Sequence, residues 1–181
     1  MMLPLRPHWA RTVTVARVVA LAAAAVLLVG VQMGGLGRWR LFGVYPDLLV
    51  VAVCSVALQR GPWAGVGAAF VFGLLADIAG GHLVGLSVLC YAAAALVAGP
   101  LGLRAFPERW IVTSSAVALG TAASQLAYVL GAKAFGYDLA FWQAGPRIIG
   151  ALVLYHWLLT PPTFLLIRSL LDMIWPRRLD A

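Results

Sequence analysis

Residues 45–87 read YPDLLVVAVCSVALQRGPWAGVGAAFVFGLLADIAGGHLVGLS, and they carry the clearest signal of the fold. Two apolar runs are joined by the short sequence QRGP, in which Pro62 suits the first position of a helix because its missing N–H is not needed there. The stretch therefore predicts a helical hairpin. Asp47 and Asp77 lie near the two ends far from the turn, at similar depth, and an acid at membrane depth is costly, so each requires an explanation.

The overall composition indicates a membrane protein. Of 181 residues, 63% are hydrophobic and 10% are charged, and the mean hydropathy is +0.96. A soluble domain carries about 25% charged residues. The net charge of +7 does not indicate nucleic-acid binding, because the basic residues stand singly between apolar runs and form no cluster with aromatic residues.

The apolar runs predict an all-α, polytopic membrane protein with six transmembrane helices in a single membrane domain spanning residues 1–181. About 20 residues are needed for each span. The predicted helices cover residues 17–35, 44–59, 62–79, 83–103, 110–133 and 147–171. Residues 1–16 and 172–181 are predicted to be cytoplasmic tails.

The positive residues predict the orientation of this bundle. An even number of helices places both termini on one side, and Lys and Arg are enriched in cytoplasmic segments. With cytoplasmic termini, nine basic residues lie inside and four lie outside. The inner ones are Arg6, Arg11, Arg17, Arg60, Arg104, Arg109, Arg168, Arg177 and Arg178, and the outer ones are Arg38, Arg40, Lys133 and Arg147. Both termini are therefore expected in the cytoplasm.

The two acids have different expected explanations. Asp47 follows Pro46 at a helix start, where a carboxylate can cap free N–H groups, and capping and a functional role both remain open there. Asp77 lies near the end of the next helix, where the helix dipole disfavours negative charge. It needs a donor, a cation or a proton, and His82 and Arg147 are the candidate donors.

Small residues recur along the third predicted helix at intervals of four. Residues at this spacing share one helix face and let a neighbouring backbone approach closely. The series consists of Gly61, Gly65, Ala69, Gly73 and Asp77. The pattern predicts either an intramolecular helix contact or the docking of a partner's transmembrane helix, rather than lipid, along this face.

The remaining polar residues give no sign of a catalytic, metal or cofactor site. Cys54 and Cys90 have no companion at metal-ligand spacing, and the histidines are dispersed. His156 is expected to make an interhelical hydrogen bond, and Gln125, near the middle of the fifth helix, is expected to find a partner inside the bundle. The sequence thus predicts a protein that is not an enzyme and holds no cofactor.

The motifs of residues 44–103 resemble those of the bacterial rod shape-determining MreD family. The matching features are Pro46-Asp47-Leu48-Leu49, Gln59-Arg60-Gly61-Pro62, the Gly-rich helix that reaches Asp77, Gly80-Gly81 and Gly85-Leu86-Ser87. After residue 103 the resemblance is carried by hydropathy alone. The positions that match the family pattern are Pro46, Asp47, Arg60, Gly61, Asp77 and Gly85.

The resemblance implies a non-enzymatic scaffold or regulatory subunit of the cell-elongation complex, or elongasome, in the bacterial inner membrane. The implied partners are MreC above all, the MreB filament, the polymerase RodA with its penicillin-binding transpeptidase, and membrane lipids. The implied fold is similar to that of the six-helix substrate-binding subunits of energy-coupling-factor transporters.

That implied fold also permits an alternative function, a small-molecule-binding membrane subunit of such a transporter. This alternative predicts a pocket open to the outside, lined by Asp47 and Asp77 and by Trp39, Trp142 or Arg147. The few polar groups in the predicted outer turns weigh against it, because a vitamin site needs several convergent polar groups.

Overall fold

Six α-helices lie in the part of the chain that the computed structural model describes. This part comprises residues 19, 23, 25–34, 44–81, 83–102, 110–136 and 141–174. At residues 141–144, 146 and 174 only the backbone is described. The helices are α1 (Ala25–Gly34), α2 (Leu48–Arg60), α3 (Pro62–Gly80), α4 (Leu86–Gly102), α5 (Trp110–Ala134) and α6 (Phe141–Ile174). No β-strand occurs among these residues. The all-α prediction is confirmed.

Helices α2 to α5 begin and end close to the predicted runs, whereas α6 differs; most of residues 17–24, where the first helix was predicted to begin, lie outside the described part of the chain. Helix α6 begins at Phe141 rather than at residue 147 and ends at Ile174 rather than at 171, so the first residues of the predicted tail are helical. The prediction placed the boundary at Arg147 because hydropathy detects only the apolar part of a helix. Residues 1–16 and 175–181 lie outside the described part of the chain.

Three of the six helices are long and apolar enough to cross a membrane. These are Pro62–Gly80, Trp110–Ala134 and, within α6, Arg147–Met173. The helices Ala25–Gly34, Leu48–Arg60 and Leu86–Gly102 are apolar but shorter. With 13 residues and a rise of 1.5 Å for each, α2 is about 20 Å long, less than the roughly 30 Å of a bilayer core.

Helix α2 forms the centre of the bundle. It packs against α3, α4, α5 and α6, and every side chain from Leu49 to Cys54 is fully buried. A helix that is apolar all round is expected to be enclosed in this way. Because α2 is surrounded by protein, its ends must find hydrogen-bond partners within the bundle.

Small residues allow the helices around α2 to approach closely. A Cβ atom added at Gly73 would lie 2.6 Å from the Val88 backbone of α4, and one added at Gly65 would lie 2.4 Å from the Ala57 Cβ of α2. Ala69, between these two glycines, is fully buried. The series of small residues in α3 is therefore occupied by contacts within the chain.

Candidate functional site

The start of α2 is the most densely hydrogen-bonded place in the described structure. Asp47 is the N-cap residue, and its Oδ1 accepts from the backbone N–H groups of Leu49 at 3.0 Å and Val50 at 3.3 Å. The Leu48 N–H donates to Gln32 Oε1 at 3.1 Å. The Asp47 N–H donates to His156 Nε2 at 2.8 Å. All four N–H groups that a helix start leaves free are thus paired with side chains.

Two further contacts complete this network, which we call the α2 cap. Tyr91 of α4 donates its hydroxyl to Asp47 Oδ2 at 2.9 Å. Gln32 of α1 also donates through Nε2 to the Pro46 carbonyl at 2.8 Å. The cap therefore joins α1, α2, α4 and α6 at one end of the bundle. Of the two explanations for Asp47, the structure shows capping.

His156 has one hydrogen-bond arrangement that satisfies all its neighbours. Its Nε2 accepts from the Asp47 N–H, so its proton lies on Nδ1, which is 2.9 Å from Thr121 Oγ1. The Thr121 hydroxyl donates in turn to the Val117 carbonyl at 2.9 Å. The imidazole is therefore neutral, since it must accept at Nε2. The predicted interhelical hydrogen bond of His156 is confirmed, and it links α6 to both α2 and α5.

Asp77 caps a helix other than its own. Its Oδ2 accepts from the Gly85 N–H at 2.6 Å and its Oδ1 from the Ser87 N–H at 3.2 Å, at the start of α4. The positive end of the α4 dipole stabilises the carboxylate that the α3 dipole disfavours. The expectation that Arg147 supplies the donor is wrong, because backbone groups do so. The other candidate, His82, lies outside the described residues.

Two glycines with positive φ form the turns of this region. Gly81 (φ +65°) ends α3 in the left-handed conformation, and Gly85 (φ +102°) precedes α4. An L side chain would strain both positions. These turns bring the start of α4 back to the carboxylate of Asp77, which explains the matching motif Gly85-Leu86-Ser87.

The opposite end of the hairpin is held by Arg60. Its Nη2 donates to the Leu171 carbonyl at 3.3 Å and lies 3.5 Å from Asp172 Oδ1, so it joins the α2–α3 turn to the end of α6. Arg168 also faces Asp172, at 3.9 Å. Gly61 forms the turn itself with φ +93°. Arg60 and Gly61 therefore have structural roles here.

A cavity of ≈ 320 Å³ lies beside the α2 cap. All six helices contribute to its wall. The lining residues are Gln32, Met33, Tyr45, Pro46, Asp47, Leu49, Ala76, Ser87, Cys90, Tyr91, Ser124, Gln125, Tyr128 and Leu152. Asp77 is not among them, although the transporter alternative requires it there. Arg147 does not line the cavity either, while Trp39 and the Trp142 side chain lie outside the described residues.

Sequence reasoning missed part of this site. Gln32 and Tyr91 are isolated polar residues in apolar helices, and nothing in their spacing points to Asp47. Gln125 lines the cavity, and the partner expected for it inside the bundle is not found among the described residues. The described residues contain no group of three or more His, Cys, Asp or Glu that would hold a metal ion.

Comparison with known families decides the classification. A family model described as "MreD: rod shape-determining protein MreD" matches residues 14–170. The chain belongs to the MreD family. The match covers α1 to α5 and α6 up to residue 170, so it includes the part after residue 103, where the sequence motifs are weakest. No curated protein and no solved structure matches the chain, so the likeness of MreD to energy-coupling-factor subunits stays a prediction.

Membership in the MreD family assigns the protein a role in determining rod shape. The apolar helices are in keeping with a membrane protein. None of the comparisons supports the transporter alternative. The α2 cap and Asp77 thus supply hydrogen-bond partners to the first residues of the two short helices α2 and α4 inside the apolar bundle of this MreD protein.

Proposed function

We propose that this chain is a non-enzymatic scaffold or regulatory subunit of the bacterial cell-elongation complex, with MreC as its main partner. Through MreC it links to the MreB filament and to RodA with its penicillin-binding transpeptidase, and so helps maintain cell shape. The observation that carries the proposal is the family match over residues 14–170.

The use of the polar groups supports a scaffold role. Both acids at membrane depth accept backbone hydrogen bonds at helix starts. His156 is held neutral between Asp47 and Thr121. A general acid or base must exchange protons with a substrate, and these groups are committed to the fold instead.

The surface that binds MreC must lie on exposed faces of the bundle. Gly65, Ala69 and Gly73 are already packed against α2 and α4. The opposite face of α3 is open, with Trp63 at 79% and Ile78 at 65% exposure. Partner helices in membranes associate through side-chain packing on such faces.

Affinity purification tests the proposed partners. The tagged chain is isolated from gently solubilised membranes, and the proteins that accompany it are identified by mass spectrometry. We expect MreC, with RodA and the transpeptidase. An unrelated tagged polytopic protein of similar size is the control for nonspecific recovery. Recovery of transporter subunits without MreC would contradict the proposal.

We further propose that the protein lies in the inner membrane as a multi-pass protein with both termini in the cytoplasm. The nine-to-four distribution of basic residues supports this orientation. Cys54 and Cys90 are buried, so an impermeant reagent does not reach them, and replacing both by Ala gives a cysteine-free background. Cysteine introduced at position 82 should then react with an impermeant thiol reagent from outside, and cysteine at position 105 only from inside. The reverse pattern would contradict the orientation.

A further inference from the structure

The cavity beside the α2 cap has the features of a ligand-binding site. Its volume of ≈ 320 Å³ is at the small end of the roughly 300–1,000 Å³ that is typical of ligand pockets. Amide and hydroxyl groups from α1, α4 and α5 converge on it, beside apolar surface from Met33, Leu49 and Leu152. Convergent polar groups in a largely apolar wall are what orient a bound molecule.

Two of the polar groups that face the cavity lack a partner. Ser124 is 2% exposed, and within the described residues neither its hydroxyl nor the Gln125 amide makes a hydrogen bond to protein. Both lie in the interior of α5, a helix long and apolar enough to cross a membrane. At that depth lipid offers no hydrogen bonds, so these groups require a polar occupant of the cavity.

The charges of the lining residues restrict the chemistry of that occupant. Asp47 is the one charged residue among those described in the wall, and no Lys or Arg accompanies it. Its carboxylate already accepts from two backbone N–H groups and from Tyr91. Among the described lining residues, a phosphate or carboxylate would meet a like charge with no cation to offset it. An uncharged molecule rich in hydroxyl or amide groups matches the wall.

We propose that this cavity binds an uncharged molecule whose hydroxyl or amide groups hydrogen-bond to Gln125 and Ser124. The same chemistry is offered by the headgroup of a neutral lipid and by a free small molecule. Such a ligand would sit against all six helices at once, so its binding would stabilise their packing. This role goes beyond the scaffold function and does not depend on MreC.

Native mass spectrometry of the chain purified from its own membranes tests the proposal. We expect a one-to-one adduct of an uncharged hydroxyl- or amide-bearing molecule on the wild type. A mass containing acyl chains identifies a lipid, and a mass without them identifies a free molecule. Gln125→Leu should lower the occupancy at least tenfold, and Ser124→Ala should lower it less. Ser114→Ala is the matched control, because Ser114 is a buried hydroxyl of the same helix that is not among the lining residues.

A second measurement is needed because a weakly bound ligand can dissociate during ionisation in the mass spectrometer. The melting temperature is followed by tryptophan fluorescence in phosphatidylcholine nanodiscs with increasing monoglucosyl diacylglycerol, a neutral polyhydroxyl lipid. A saturable rise in the wild type that is lost in Gln125→Leu supports the site. Three results would overturn the proposal: an adduct that Gln125→Leu retains equally, an adduct that is an anionic phospholipid, or the absence of both an adduct and a saturable rise. In the third case the cavity would hold only water.

Discussion

Replacement of Asp77 offers the most direct test of how this bundle tolerates an acid. The side chain is fully buried and accepts from Gly85 N–H at 2.6 Å and from Ser87 N–H at 3.2 Å. Asp77→Leu removes both acceptors and leaves two backbone donors in apolar surroundings, at about 1–3 kcal/mol for each. We therefore expect the free energy of unfolding to fall by about 2–6 kcal/mol.

Asp77→Asn separates the acceptor role from the charge. The amide retains one acceptor oxygen, while its NH₂ group faces the second backbone N–H, so we expect about half of the Leu effect, about 1–3 kcal/mol. The control is Asp172→Asn, because that carboxylate is 42% exposed in its ion pairs, and exposed pairs contribute about 0–1 kcal/mol.

The assay is equilibrium unfolding in mixed micelles with increasing sodium dodecyl sulfate, followed by tryptophan fluorescence. If the free energy of unfolding of Asp77→Leu lies within about 0.5 kcal/mol of the wild-type value, as is usual for surface substitutions, the capping explanation is refuted. If Asn and Leu lower the stability equally, the negative charge itself matters rather than hydrogen-bond acceptance.

Two further predictions use the same assay. Gly73→Ala should lower the stability by about 1–3 kcal/mol, because the new Cβ would lie 2.6 Å from the Val88 backbone. The control is Gly67→Ala in the same helix, where no atom lies within 4 Å of the added Cβ; it should be neutral or stabilising by up to about 1 kcal/mol. Equal effects at the two glycines would contradict the packing of α3 against α4. His156→Leu should cost about 1–3 kcal/mol by leaving the Asp47 N–H unpaired, and a variant as stable as the wild type would show that this bond contributes nothing.

Local features of the sequence are enough to predict the class of fold and most of the helices. Apolar length, the turn at Gly61-Pro62 and the spacing of small residues depend on local chemistry, and they predicted the hairpin and its close-packed face. The start of α6 was misplaced because hydropathy falls at Arg147, while backbone hydrogen bonding extends back to Phe141. The likeness to the MreD family was also visible in the motifs around Asp47 and Asp77.

The roles of the polar residues, in contrast, depend on contacts between helices that are distant in the sequence. Asp77 and the start of α4 meet because two positive-φ glycines reverse the chain, so a charge that looks unfavourable on its own helix stabilises the next one. Gln32, Tyr91 and His156 come from three different helices and form hydrogen bonds at the start of α2. Their spacing in the sequence does not predict that they lie together. A short helix enclosed in an apolar bundle must take the hydrogen bonds for its first turn from whichever side chains the packing brings there.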